Sequence, residues 1–278
     1  CYRGQFAGGF YDGTGELYED GALCYRGQFA GGQYDGTGEL YRDGELCYRG
    51  QFAGGFYDGA GELYRDGELC YQGEFAAGRI CGEGTIYSGS IRYEGSVAAD
   101  TPNGFGKEYR EDGTLQYEGE FAGGVYEGNG KLYGNKGLCY EGGFKAGKFS
   151  GEGKLYEDIG GILMYEGGFS NGLFEGTGKL YMGENRLVYE GGFSRGKKSG
   201  QGSLYSAAAG LLVYEGGFLQ DLYDGEGKLY NSLGELIYEG GFLRGEKSGS
   251  GIAYDGQTGM ILEQGIYRNG ILTGSTAE

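Results

Sequence analysis

The chain has 278 residues, 68 of them glycine, with one proline, no tryptophan, no histidine and a net charge of −17. An acidic chain without a basic run excludes nucleic-acid binding, which needs clustered Lys and Arg to displace counterions, and argues against anionic lipid for the same reason. No run of 18 apolar residues occurs, so no membrane span is predicted.

The first element is Tyr2-Arg3-Gly4-Gln5-Phe6, followed by a Gly8-Gly9 turn and then Gly13-Thr14-Gly15-Glu16-Leu17-Tyr18. The same pair of segments returns down the chain, opening at Tyr25, Tyr48, Tyr71, Tyr93, Tyr117, Tyr140, Tyr165, Tyr189, Tyr214 and Tyr238, with a degraded copy from Glu263. The steps run from 22 to 25 residues, a period that signals a stacked array rather than a globule with one central core. From the opening residue to the first glycine of the Gly-x-Gly pair is 11 residues in every copy, and a tyrosine follows at 16 in each full copy. The length variation lies in the step from that tyrosine to the next opening residue, 6 to 9 residues. One turn is thus predicted to be fixed by packing and the other to be a surface turn lining one long edge.

In the second copy, Leu23, Tyr25, Gly27 and Phe29 alternate with Cys24, Arg26 and Gln28, the period of a half-buried strand. Helix is disfavoured, because each interior glycine costs about 1 kcal/mol relative to alanine. Each repeat therefore reads as a β-hairpin, and the whole of 1–278 as one array. The predicted fold is all-β, an elongated single-layer twisted antiparallel sheet of tandem hairpins. Twenty-two strands at about 4.8 Å would make it roughly 105 Å long. Glycines within strands are expected to leave room for Tyr and Phe of neighbouring hairpins. The fifth copy departs most, with Val97, Asp100 and Pro102, and reads as a decayed repeat with a bulge or kink or, less simply, as a local partner site.

The segment Tyr165-Glu166-Gly167-Gly168-Phe169, Gly172, then Gly176-Thr177-Gly178-Lys179-Leu180-Tyr181 resembles the MORN repeat, and the resemblance extends over essentially the whole chain. It implies a trough of β-hairpins acting as a scaffold or protein-interaction module, with membrane association proposed for some members. The chain departs from the pattern in lacking Trp, with Phe in its place at Phe29, Phe144 and Phe242. It also carries Arg3, Arg26 and Arg49 where later copies carry Glu94, Glu141 and Glu239.

Lysines recur at Lys107, Lys131, Lys154, Lys179 and Lys228 and read as a solvated face balanced by the glutamates. Cys1, Cys24, Cys47, Cys70 and Cys139 all precede an opening tyrosine, a slot that later holds Met164, Val188, Val213 and Ile237. Equivalent slots about 10 Å apart exceed the ~7 Å reach of a disulfide, so these cysteines read as apolar fillers. Without histidine or a Cys-x-x-Cys pair no metal or other cofactor is predicted. Near-identical repeats supply many equal weak sites and not the convergent unlike groups catalysis needs, so no enzyme is predicted in this segment.

The leading function is a non-enzymatic scaffold for protein partners. Its candidate contact face is Tyr140, Phe144, Tyr165, Phe169, Tyr189 and Phe193, side chains equally able to serve as the sheet's core. Exposed terminal strands would favour end-to-end self-association. The alternatives are a phospholipid-associated membrane-surface module and a bacterial surface carbohydrate-binding repeat, the latter weakened by the lack of Trp. The chain opens inside a repeat at Cys1 without an initiator Met, as a fragment or processed product would.

Overall fold

The computed structural model describes residues 1–157 and 160–275. Contacts divide it into two compact units, Cys1–Gly130 and Lys131–Glu278. The described residues form twenty-four strands and no helix, two strands more than the twenty-two predicted, because the degraded copy from Glu263 also closes a hairpin. Within each unit the strands are antiparallel hairpins, as the sequence predicts. In the N-terminal unit, Ala22–Ala30 and Gln33–Arg42 form one hairpin. Its two-residue turn, Gly31-Gly32, has φ of 55° and 88°. In the C-terminal unit, Leu163–Ser170 and Leu173–Met182 are joined by Asn171 and Gly172 at 52° and 81°. Positive φ at both turn positions gives the backbone a twist that matches the flanking strands. Where the variable link is short, Asp43-Gly44 repeats the device. Where it is longer, a side chain holds the turn: Asn231 Oδ1 accepts from the amides of Leu233 and Glu235 at 2.9 and 3.0 Å.

The register is set by glycine. Gly27 faces Gly38, which faces Gly50, so a row of bare Cα atoms crosses the hairpins. The opening tyrosine lies across this row in its own hairpin. A Cβ on Gly38 would come 2.2 Å from the Tyr25 hydroxyl and one on Gly27 2.5 Å from the Cα of Gly38. The sequence placed rings from neighbouring hairpins there; the ring comes instead from the same repeat. Its hydroxyl turns back to donate to the carbonyl of Gln28 at 2.9 Å, and Tyr140 does the same to Gly143 at 2.9 Å. The polar end of a buried ring is thereby satisfied.

Two kinds of bulge break strict alternation. Gly27 faces Gly38 but Phe29 faces Tyr34, so Gln28 alone lies opposite Asp35, Gly36 and Thr37. The second falls at Cys24, unpaired between Leu23 (opposite Tyr18) and Tyr25 (opposite Leu17). Tyr18 donates to Glu16 at 2.7 Å, and Glu16 pairs with Arg26, so Leu23 shares the face of Arg26 and not that of Tyr25. The simple alternation read from the sequence is corrected here, because a bulged residue reverses the faces beyond it. The fifth repeat has the bulge read from its sequence and lacks the second kind, Ile86 facing Tyr93 and Tyr87 facing Arg92 without a shift. It carries the bulge common to the others, with Val97 buried in the phenylalanine slot and Pro102 paired to it.

Candidate interaction surfaces

Within each unit the sheet presents a charged face and a ring face. On the charged face of the N-terminal unit, Arg26 Nε meets Glu16 at 3.0 Å, Arg49 Nε meets Glu39 at 3.1 Å, and Arg49 reaches Glu62 at 3.6 Å. In the C-terminal unit the signs are exchanged: Lys154 lies 3.9 Å from Glu141, Lys179 3.8 Å from Glu190 and Lys228 3.7 Å from Glu215. The lysine and glutamate ladders predicted to balance each other are therefore cross-strand partners. The tyrosine closing each repeat follows the carboxylate. Tyr41 donates to Glu39, two residues back, whereas Tyr181 donates to Glu166 and Tyr230 to Glu215, fifteen residues back. Between Glu39 and Arg49 this face holds a shallow, open depression of about 400 Å³, with Thr37, Gln51 and Ala60 on its walls. It lacks the enclosure that a small-molecule site requires.

The ring face carries the six residues singled out from the sequence, all in the C-terminal unit. Tyr140, Tyr165 and Tyr189 are 0% exposed, Phe144 is 4%, and Phe169 and Phe193 are 5%. The structure brings them together as one packed series. Phe144 and Phe169 stand edge-on to Tyr140 at 5.1 and 5.2 Å, and Phe169 and Phe193 flank Tyr165 at 5.1 and 5.2 Å. These residues occupy the core, the second of the two roles that the sequence left open for them. Burial raises the tyrosine hydroxyls, pushing Tyr140, Tyr165 and Tyr189 up to about 12, so they stay protonated donors.

A second layer, nine residues after each opening tyrosine, was missed from the sequence. Phe149 stacks on Tyr140 at 3.8 Å and Phe174 on Tyr165 at 3.8 Å. In the N-terminal unit Tyr34 stacks on Tyr25 and Tyr57 on Tyr48, both at 3.8 Å. These outer rings are half-buried. The signal was present as an aromatic two residues before the first glycine of the Gly-x-Gly pair, as in Tyr34 and Gly36, where period two sets it on the face of Gly36, Gly38 and Leu40. In two repeats a lysine takes the slot: the ammonium of Lys198 lies 5.4 Å from the ring centre of Tyr189 and that of Lys247 4.4 Å from Tyr238. Desolvation lowers the Lys247 pKa, partly opposed by Glu263. The six cysteines carry free thiols.

The MORN-repeat family model matches eleven segments: 2–22, 25–45, 48–68, 71–90, 93–115, 117–139, 140–158, 165–183, 189–207, 214–232 and 238–257. The chain belongs to the MORN-repeat family. MORN repeats are modules of protein or membrane interaction, and the repeat itself is non-catalytic. No curated protein matches this chain. Among the described residues of this MORN array, no group of three or more His, Cys, Asp or Glu is placed to hold a metal ion.

Proposed function

We propose that this MORN array is a non-enzymatic scaffold that binds protein partners across its ring faces. The observation that carries the reading is the outer ring layer: Tyr34, Tyr57, Phe149, Phe174 and Tyr223 are each stacked on a buried tyrosine and half-exposed. A ring held flat by the ring beneath it loses little freedom on binding, so its apolar surface is offered at low entropic cost. Recurrence at about 10 Å, two strand spacings, suits an extended partner that meets several equal contacts in turn.

The chain's own variation supplies the test. Ile80 and Lys198 occupy the same slot in folded repeats, so lysine there is compatible with the hairpin. A variant carrying Tyr34→Lys, Tyr57→Lys, Phe149→Lys and Phe174→Lys is expected to lose cross-linked partners from an extract of the source cells while keeping its β-sheet circular dichroism. Equal capture by the folded variant would end the proposal.

A further inference from the structure

We infer that the hairpin-tip edge of the C-terminal unit binds an acidic, leucine-bearing polypeptide segment in an extended polyproline-II conformation. The inference rests on reading the chain as a protein-interaction array and names a partner chemistry for an edge which that reading leaves unused. In the tip segments 144–149, 169–174, 193–198, 218–223, 242–247 and 267–272 there are eight lysines and arginines, against Asp221 and Glu246 as the acids. The corresponding tips of the N-terminal unit carry Arg79 and Asp100 as their charged residues. Just outside these segments, Glu175 and Asp224 accept from the amides of Arg195 and Arg244 at 2.9 and 3.2 Å. The edge still carries an excess of cations on a chain whose net charge is −17.

These cations differ from the structural ones. Lys154, Lys179 and Lys228 each pair with a cross-strand glutamate. Lys145, Lys148, Arg195, Lys197, Arg244 and Arg268 are exposed and make no ion pair among the described residues. Between them stand apolar tips: Leu173 is 49% exposed, Leu219 52% and Leu222 48%. From the hairpin of Tyr140 to that of Tyr214 the tips alternate in kind, with Lys145 and Lys148, then Leu173, then Arg195 and Lys197, then Leu219 and Leu222. The tip of Tyr238 combines both kinds, with Arg244 between Leu243, 56% exposed, and Glu246.

That alternation has a length. Neighbouring hairpins lie about 10 Å apart, two strand spacings. A polyproline-II chain advances about 9 Å per three-residue turn and presents every third side chain on one side. The fitting partner repeats acid-x-x-apolar-x-x, each acid meeting a basic tip and each apolar residue a leucine tip. A slender chain feels the local charge, because charges beyond a Debye length of about 8–10 Å are screened. A bilayer is a plane that meets the whole acidic molecule. Lys198 and Lys247 also lie round the edge on the ring face, where a chain can follow and a plane cannot.

The probe is a labelled peptide of roughly 18 residues that repeats Glu-Pro-Ser-Leu-Pro-Ser, long enough for about six hairpins, followed by fluorescence anisotropy with the full chain. Binding is expected to weaken with salt and to fall about tenfold with Arg195→Gln, Lys197→Gln and Arg244→Gln together. Ala77, Asn171 and Gln220 stand where Arg195 and Arg244 do, and Leu173, Leu222 and Glu246 where Lys197 does, so the triple variant is expected to fold. Peptide binding by a version with Lys restored at Arg195 and Arg244 shows that charge is what was lost. No binding, or binding equal in wild type and variant, overturns the inference. So does variant-sensitive flotation with phosphatidylserine vesicles in place of peptide binding, which would make the edge a lipid site. The ring-face variant separates the two readings: partner capture that survives failure of the peptide leaves the ring-face scaffold standing and removes this edge alone.

Discussion

The first three repeats and the five that open at Tyr140, Tyr165, Tyr189, Tyr214 and Tyr238 build the same hairpin from different chemistry. The early repeats put Arg beside the opening tyrosine and Glu on the facing strand; three of the later five put Glu first and Lys opposite. At the bulge, Gln28 in the early type folds its side chain over the gap and accepts from the Thr37 amide at 2.9 Å. In the later type glycine stands there, and the carbonyl of Ser150 occupies the space a Cβ on Gly143 would need, 2.1 Å away. What the array keeps is a relation between positions, opposite charge or a satisfied bulge, and the residue identities follow from it.

Both types share the tyrosine-on-glycine core, and alkaline pH attacks it in both. The unfolded phenol titrates near 10.0, while burial pushes Tyr71 and Tyr93 in one unit and Tyr140, Tyr165 and Tyr189 in the other up to about 12. A raised pKa means that the folded state resists ionisation. Its stabilisation is complete below pH 10 and is lost as pH climbs to 12, because the unfolded state releases protons that the folded state holds. A steep fall in melting temperature across that window, followed by tyrosinate absorbance, is the largest effect expected. Melting that is flat from pH 10 to 12 would contradict the buried-phenol core.

Substitution at the bulge should separate the two types. Gly143→Ala places a Cβ against the Ser150 carbonyl and should cost about 3 kcal/mol. Gln28→Ala removes one acceptor from a solvent-accessible amide and should cost about 1 kcal/mol. Urea melts of the two variants give the comparison, and equal losses would mean that the bulges are not distinct.

The reach of the sequence follows from the same relation. The repeat, its hairpin and its glycine row were legible because periodicity and φ requirements are local. The stacking slot was not, because its residue changes from Tyr34 to Ile80, Pro102, Phe149 and Lys198 and leaves no fixed letter in the repeat, although period two runs from Tyr34 through Gly36 and Gly38. The single unpaired residue at Cys24 does reverse faces, and it hid that Leu23 lies with Arg26. Tyr34 and Tyr57 were therefore passed over in favour of Tyr140 and its buried neighbours. The edge charge escaped for another reason: the tip cations come in small groups, Lys145 with Lys148, Arg195 with Lys197 and Lys198, Arg244 with Lys247, which are gathered only when hairpins stack. Lys198→Tyr tests the slot directly. Tyr189 lacks the stacked ring that Tyr214 has in Tyr223 at 3.8 Å, and supplying it should gain about 1 kcal/mol.

The smallest effect tests where the two charge patterns meet inside the N-terminal unit. Glu62 faces Gln72, Gln72 faces Thr85, and Thr85 faces Glu94. Charge of alternating sign cannot pass through this point, since both outer residues are acidic and an even number of positions separates them. Two neutral residues resolve the conflict. Gln72→Arg alone gives Glu62 a second cross-strand partner beside Arg49, and Thr85→Lys alone adds one to Glu94 beside Arg92, each worth a few tenths of a kcal/mol. Together they set Arg against Lys on directly paired positions, so the double variant should fall short of additivity by about 0.5 kcal/mol. Chemical denaturation of the four proteins in the cycle at low salt measures that coupling. Full additivity would mean that Gln72 and Thr85 are neutral by accident rather than as the joint between two opposite ladders.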